Sequence, residues 1–332
     1  MIPMTRRRTL GALATLPFAP RVARAQAKTI TFGYLADPSH EAVMWPLRNG
    51  KVRSDRVRVE GSPLDIPALI QATAARSFDV VQTAAMALPR ARERGLDLRI
   101  IGTGLRNHGS GEGGGIWVKK DGPIQSAADL KGKRLAIYSI GSAGITLVRI
   151  ALAEVHGLNV AARGGDVELL EMPPPAMPAA LAGGRVDAAT LIHAQAYRAM
   201  QGDDFRVVVQ TAQDITTRFG LRGVSAVLAG YGEKLDAAPD DYVEFLRVLH
   251  ASMEYARSNP QEVFPAVGQQ TGTDPAFFEA WFSRFSEFPV LTTEQDVRAI
   301  DMLWSQAIKL GLLNRAPPAH ETIWSRALNA RA

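Results

Sequence analysis

Hydrophobic and polar positions alternate in short runs along most of this chain, and stretches with helical spacing lie between the runs. Residues 29–35 (Thr-Ile-Thr-Phe-Gly-Tyr-Leu) place Ile30, Phe32 and Tyr34 on one face, the period-two pattern of a half-buried strand. A helix is predicted over 41–48. Val57-Arg58-Val59 predicts a second strand, and 67–75 a small-residue helix with proline in its first turn. Residues 78–81 and 98–101 predict two more strands. The alternation restarts at 116–118 and continues with strands over 134–138, 167–170 and 186–191. A helix over 145–156 carries Ile145, Val148, Leu152 and Val155 on one stripe. Another spans 178–182 and is stopped by Gly183-Gly184. Strands alternating with helices of this length predict βαβ units and parallel pairing.

The two series share a local pattern. Ala74-Ala75-Arg76-Ser77-Phe78-Asp79-Val80-Val81 is similar to Ala182-Gly183-Gly184-Arg185-Val186-Asp187-Ala188-Ala189. Each is a helix end, a basic residue, an apolar residue, an aspartate and a strand. Two similar α/β units are the reading this favours. In such sheets ligands gather beyond the carboxyl ends of the strands, near Gln82-Thr83-Ala84 in one unit and Ile192-His193 in the other.

Between the series lies Gly109-Ser110-Gly111-Glu112-Gly113-Gly114-Gly115. A phosphate loop would end in Gly-Lys-Ser/Thr and open a helix. This run has no such ending and precedes a strand, so it is read as the connection where the chain changes domain.

The N-terminus has its own pattern. Thr5-Arg6-Arg7-Arg8-Thr9-Leu10 leads into an apolar run to Phe18, then Ala23-Arg24-Ala25. A basic start, an apolar run and an A-x-A tripeptide make an export signal, cleaved near Ala25. The paired Arg6-Arg7 point to the twin-arginine route. The run is roughly half the ~20 residues needed to span a bilayer. The expected location is the periplasm.

That segment also explains the charge. The net charge is +5, and the first 25 residues hold five arginines and no acidic residue, so the remainder is neutral. This argues against nucleic-acid binding, which needs clustered Lys/Arg. Cysteine is absent, which excludes disulfides, thiol nucleophiles and thiolate metal sites. No two of the six histidines are spaced i, i+4, so no helical metal pair is present. Neither G-x-S-x-G, H-E-x-x-H, S-x-x-K nor a dinucleotide fingerprint occurs.

Ala128-Asp129-Leu130-Lys131-Gly132-Lys133-Arg134-Leu135-Ala136, followed by Gly141-Ser142 and a helix reaching Gly157-Leu158, resembles the ABC-transporter solute-binding proteins of the nitrate/sulfonate/taurine type, a group that includes binders of thiamine pyrimidine precursors. Ala180-Leu181-Ala182-Gly183-Gly184-Arg185-Val186-Asp187-Ala188 and Asn259-Pro260-Gln261-Glu262-Val263 carry the same resemblance. It covers roughly residues 28–313. The chain departs from the pattern at Asn49-Gly50-Lys51-Val52 and in the glycine-rich crossing.

The resemblance implies an α/β, type II, two-lobed flytrap, each lobe a mostly parallel sheet flanked by helices. Lobe one would comprise 28–105 plus 223–332 and lobe two 115–211. The hinge crossings would be 106–114 and 212–222. The aromatic C-terminal helices, with Phe245, Phe277, Phe278, Trp281 and Trp304, read as core.

Candidate ligand-binding residues follow from this arrangement. Gly141, Ser142 and Ala143 open a helix after a strand, where free N–H groups and the helix dipole favour an anionic oxygen. Ser142 is either a ligand donor or an ordinary N-cap. Thr83 and Ala84 form the matching turn in the other unit. His193 either contacts ligand or caps the next helix. Asp37 and His40 follow the first strand. His108 and Arg218 lie near the two crossings, where each either meets ligand or faces solvent. The expected function is capture of a small organic, anionic ligand between the lobes by a monomer that delivers it to an inner-membrane ABC permease. No cofactor, metal or catalytic residue is expected. The alternative is an exported enzyme on the same fold, acting on a small heterocycle or aromatic acid.

Overall fold

The computed structural model describes residues 27–112, 114–161 and 164–328. The export-signal residues lie outside them.

The first lobe begins with β1 (Lys28–Leu35), α1 (Pro38–Arg48), β2 (Val57–Leu64), α2 (Ile66–Ala75), β3 (Val80–Ala84), α3 (Ala87–Glu93) and β4 (Leu98–Asn107). Ile30, Phe32 and Tyr34 are buried together, as the alternation predicts. Asp37 starts α1 by accepting the Ser39 N–H, with Pro38 in the first turn, and Asp65 starts α2 through the Ala68 N–H.

The chain then builds the second lobe: β5 (Gly114–Lys119), β6 (Arg134–Ile137), α4 (Ala143–Glu154), β7 (Glu168–Glu171), α5 (Met177–Ala182), β8 (Ala188–Ile192), α6 (His193–Gln201), β9 (Phe205–Val209) and α7 (Thr211–Phe219). It returns through β10 (Val224–Tyr231) and closes with α8 (Gly232–Ala237), α9 (Pro239–Ser258), α10 (Pro260–Thr271), α11 (Pro275–Ala280), a π-turn over Trp281–Phe285, β11 (Ser286–Glu287) and α12 (Glu294–Lys309).

The six-stranded sheet runs β11-β4-β10-β3-β1-β2 and the five-stranded sheet β7-β6-β8-β5-β9. The βαβ strands pair in parallel: β1 with β2 and β3, β6 with β7 and β8. The strands next to the crossings pair antiparallel: β10 with β3 and β4, β5 with β8 and β9. Both sheets are therefore mixed, because a chain that leaves one lobe and comes back adds its strands in the opposite sense. The two crossings meet where the Asn107 N–H donates to the Gly223 carbonyl at 2.9 Å. Most of 212–222, expected as a crossing, is α7, which stops at Gly220 in the left-handed conformation (φ 69°).

Each sheet is covered on both faces. In the first lobe, one core joins β1 to the aromatic residues of α9 to α11, with Phe32 and Phe245 edge-to-face at 5.5 Å. The other joins β3, β4 and β10 to α3 and α12, and it takes in Leu147, Ile150 and Ala151 of α4. Helix α4 thus belongs to the second lobe's sheet and packs on the first lobe beside the crossings.

Candidate functional site

The carboxyl ends of β1 and β3 in one lobe face those of β6 and β8 in the other. Between them lies a cleft that, with the solvent space at its mouth, takes in about 1000 Å³. Its walls are mainly aliphatic, with Leu35, Leu69, Ile70, Leu105, Leu147 and Ile192 among them. Among the described residues no lysine or arginine lines it. The carboxylate on its wall, Glu112, is paired with Arg284 at 2.8 Å.

Two helices of the second lobe begin at this cleft. Ser142 is the N-cap of α4: its Oγ accepts the Ile145 N–H at 3.1 Å and donates to the Ser139 carbonyl at 2.9 Å. The N–H groups of Ala143 and Gly144, in the first turn, stay outside the helical ladder. Tyr138 covers this turn. A Cβ built on Gly144 would stand 2.0 Å from the Tyr138 hydroxyl, so glycine is what lets the ring lie there. Burial pushes the Tyr138 phenol up to about 12, opposed by its bond to Ser142, so the hydroxyl stays neutral. Helix α7 begins at Thr211, and Thr211 and Ala212 line the cleft. The Thr211 hydroxyl is buried and has no hydrogen-bond partner among the described residues. Two helix N-termini on one wall give that wall positive potential without a cationic side chain.

A chain of polar contacts runs from the cleft into the first lobe. Nδ1 of His193 lies 3.0 Å from Oδ2 of Asp37, though not aligned as a hydrogen bond. Asp37 Oδ1 accepts the N–H and the hydroxyl of Ser39, whose Oγ lies 3.2 Å from His40 Nδ1. His40 Nε2 meets the side-chain nitrogen of Gln82 at 2.9 Å. That nitrogen also donates to the Gly104 carbonyl, and Gln82 Oε1 accepts the Leu35 N–H. The orientation of Gln82 therefore makes His40 Nε2 an acceptor and puts its hydrogen on Nδ1. Burial pushes His40 down to about 3, so it is neutral at ordinary pH. Burial opposes the charge on Asp37, but His193 and its hydrogen bonds hold the carboxyl well below the usual carboxylate range. His193 itself has φ 47°, a left-handed backbone in which a histidine is uncommon. Its ring stands against His40 and Trp281, at 6.3 and 6.4 Å between centroids.

Of the residues singled out from sequence, Thr83, Ala84, Ser142, Ala143 and His193 line the cleft. Asp37 stands behind His193, and His40 is a layer deeper, against Phe288. The Gly141 carbonyl accepts from Arg90 at 3.1 Å, tying the lobes together beside the cleft. His108 and Arg218 lie away from it. His108 Nδ1 accepts the Ser110 N–H in the first crossing. Arg218 sits near the end of α7, 3.6 Å from Glu154, because the helix carries it outward. Tyr138 and Thr211 are on the wall and escaped the sequence reading. The tyrosine read as a strand end, and the threonine as the last residue before a crossing. Among the described residues no group of three or more His, Cys, Asp or Glu is placed to hold a metal ion.

The model of the NMT1/THI5-like family matches residues 60–263, more than half of the chain. The chain belongs to the NMT1/THI5-like family. Solved structures share its fold. Protein AF1704 from Archaeoglobus fulgidus aligns with a TM-score of 0.69 at 21% identity, over 86% of this chain and 98% of its own. The alkanesulfonate-binding protein SsuA from Xanthomonas axonopodis pv. citri, bound to MOPS, aligns with 0.69 at 19% identity, over 90% and 99%. The periplasmic aliphatic sulphonate binding protein SsuA from Escherichia coli aligns with 0.67 at 15% identity, over 92% and 94%. No curated protein matches by sequence. This family member thus has the two-lobed periplasmic binding protein fold.

Proposed function

We propose that this NMT1/THI5-like chain is the exported solute-binding component of an ABC importer. It captures a small organic molecule between its lobes and presents it to a membrane permease. The observation that carries the reading is the cleft itself: an aliphatic enclosure onto which the N-termini of α4 and α7 open. Such a site suits a ligand with an apolar body and a compact oxyanion or other acceptor head. The sulphonate-binding proteins that share the fold favour the same class. The ligand groups would meet the Ala143 and Gly144 N–H groups, Thr83, Thr211 and His193, with leucine and isoleucine side chains around the body. Arg6-Arg7 and the apolar run behind them support twin-arginine export to the periplasm.

A thermal-shift screen across alkanesulfonates, aromatic acids, nitrate and pyrimidines tests this reading. A ligand at 100 times its dissociation constant adds about 2.7 kcal/mol by mass action. Ala143→Leu, which fills the wall at α4, should abolish the shift. If no compound stabilises the protein while one is chemically converted, the chain is an enzyme on the same fold.

A further inference from the structure

We propose that Tyr197 is the clasp that holds the two lobes shut, and that Phe285, which it covers, carries ligand occupancy to that clasp. The role of Phe285 rests on the reading of the cleft as a ligand site.

Helix α6 divides its buried face between the lobes. Ala196 and Ala199 pack in the second lobe's own core, with Leu191 and Met177. Ala194 and Tyr197 pack instead into the aromatic core of the first lobe. Tyr197 is the largest buried side chain of α6, and it serves the other lobe. Its ring meets Phe277 of α11 edge-to-face at 5.8 Å and Phe285 of the π-turn at 6.4 Å. Only 9% of the tyrosine is exposed. Separating the lobes would uncover it, along with the parts of Phe277 and Phe285 that it covers. The contact therefore favours the closed state.

Phe285 is where the clasp, the cleft and a crossing meet. It lines the cleft. Its carbonyl accepts the His108 N–H of the first crossing at 3.2 Å. The next residue, Ser286, also lines the cleft and pairs with Asn107, the last residue of β4 before that crossing. Phe285 also ends the π-turn, a helix irregularity frequent at functional sites. A ligand that packs on Phe285 holds the ring where Tyr197 meets it, so occupancy and closure favour one another.

Tyr197 itself does not line the cleft. It is a positioning residue, acting on the ligand through Phe285 and through the closed population. Its hydroxyl makes no hydrogen bond among the described residues, so the ring alone makes the clasp.

The chain has no cysteine, so Ala128→Cys in the second lobe and Gln269→Cys on α10 of the first, both exposed, give one spin-label site on each lobe. Double electron–electron resonance on the full chain then reads lobe separation without any ligand. The unliganded wild type should show a short-distance, closed population beside a longer, open one. Tyr197→Ala should lower the closed-to-open ratio about tenfold, the worth of a good aromatic pair. Tyr197→Phe should leave it unchanged. Tyr197→Leu, which keeps apolar volume, should give an intermediate ratio and supplies the readout if alanine disturbs α6. In calorimetric titration, 1-hexanesulfonate should bind Tyr197→Ala about five- to tenfold more weakly and Tyr197→Phe like the wild type. Phe285→Leu should also weaken binding, and the double variant should lose less than the two single losses combined. An unliganded wild type with no closed population, or alanine and leucine variants with the wild-type ratio, overturns the clasp and leaves the binding function standing. Additive losses overturn the role of Phe285. If 1-hexanesulfonate does not bind the wild type, that ligand class and the role of Phe285 both fall, while the distances still decide the clasp.

Discussion

Asp79 accepts the backbone N–H of Thr31 through Oδ2 at 2.9 Å, and Asp187 accepts that of Arg134 through Oδ2 at the same distance. Each aspartate also donates its own N–H back to the same partner's carbonyl, at 3.1 and 2.9 Å. The eight-residue similarity between the two halves is therefore one device used twice. A carboxylate just before an inner strand, β3 or β8, ties it to the parallel neighbour, β1 or β6.

Replacing either aspartate by alanine should destabilise the protein by about 1–3 kcal/mol, the usual cost of losing charged hydrogen-bond partners. Asp79→Ala should cost more. Asp79 also accepts from the Thr31 hydroxyl and from Lys234, both at 2.8 Å, where Asp187 accepts twice from the Arg134 guanidinium at 3.0 Å, and Asp79 is the less exposed of the two. Urea unfolding measures both, and equal stability of wild type and Asp79→Ala would contradict the assignment.

A second prediction concerns the buried ion pair beside the crossings. Asp296, 1% exposed, receives Arg106 at 2.8 and 3.1 Å, the Thr293 N–H and the Thr103 hydroxyl. Arg106 also binds Glu287, which pairs with Arg222 of the return crossing. Asp296→Ala leaves Arg106 without its most buried partner and should cost about 3–5 kcal/mol. The paired change Arg106→Met with Asp296→Leu should cost less than the single substitution. Chemical denaturation decides, and a double variant worse than the single would contradict the electrostatic account.

Gly144 and Tyr138 give a third. Gly144→Ala places a methyl 2.0 Å from the tyrosine hydroxyl and 3.2 Å from the ring carbon bearing it. The ring must leave the first turn of α4, so ligand affinity should fall about tenfold or more, as for an overpacked site. In a Tyr138→Phe background the closest atom is gone, and the same substitution should cost much less. A double-mutant cycle reads the coupling, and additive effects would sink the idea that this glycine exists for that ring.

Much of this arrangement was legible in the sequence. Alternation located β1, and short apolar runs located β5, β6 and β8, to within a few residues, because these inner strands are buried on both faces and are apolar nearly throughout. The turn at Ser142 announced α4. What escaped has physical reasons. Helix α7 buries only Thr211, Ala212 and Ile215, too narrow a stripe to stand out from a polar loop. Strand β10, rich in alanine and glycine, lies between β3 and β4 and so has no polar face to betray it. Arg218 and His108 seemed close to the cleft because they are close to the crossings in sequence, whereas the helix and the turn that carry them point elsewhere.

Acid should destabilise the protein in two stages. His40 has its folded value depressed to about 3 by burial, against about 6.5 when unfolded. Its contribution is present above the unfolded value and is lost as pH falls toward the folded one. Asp37 and Asp79 are also depressed when folded. Burial opposes this, but His193 and Lys234 outweigh it. Their contribution is present above about pH 4 and is lost below it. Thermal unfolding from pH 7 to pH 3 should show stability declining from about pH 6.5, and His40→Gln should flatten the part above about pH 4. A His40→Gln profile identical to wild type would contradict the burial argument.

The central claim is that ligand is held between the lobes. Small-angle scattering of the full chain, with and without whichever compound gives the largest thermal shift, tests it most directly. The account predicts a smaller radius of gyration with ligand, because the closed state makes contacts to it from both walls and is selected by that difference in affinity. A radius unchanged at saturating ligand would contradict it.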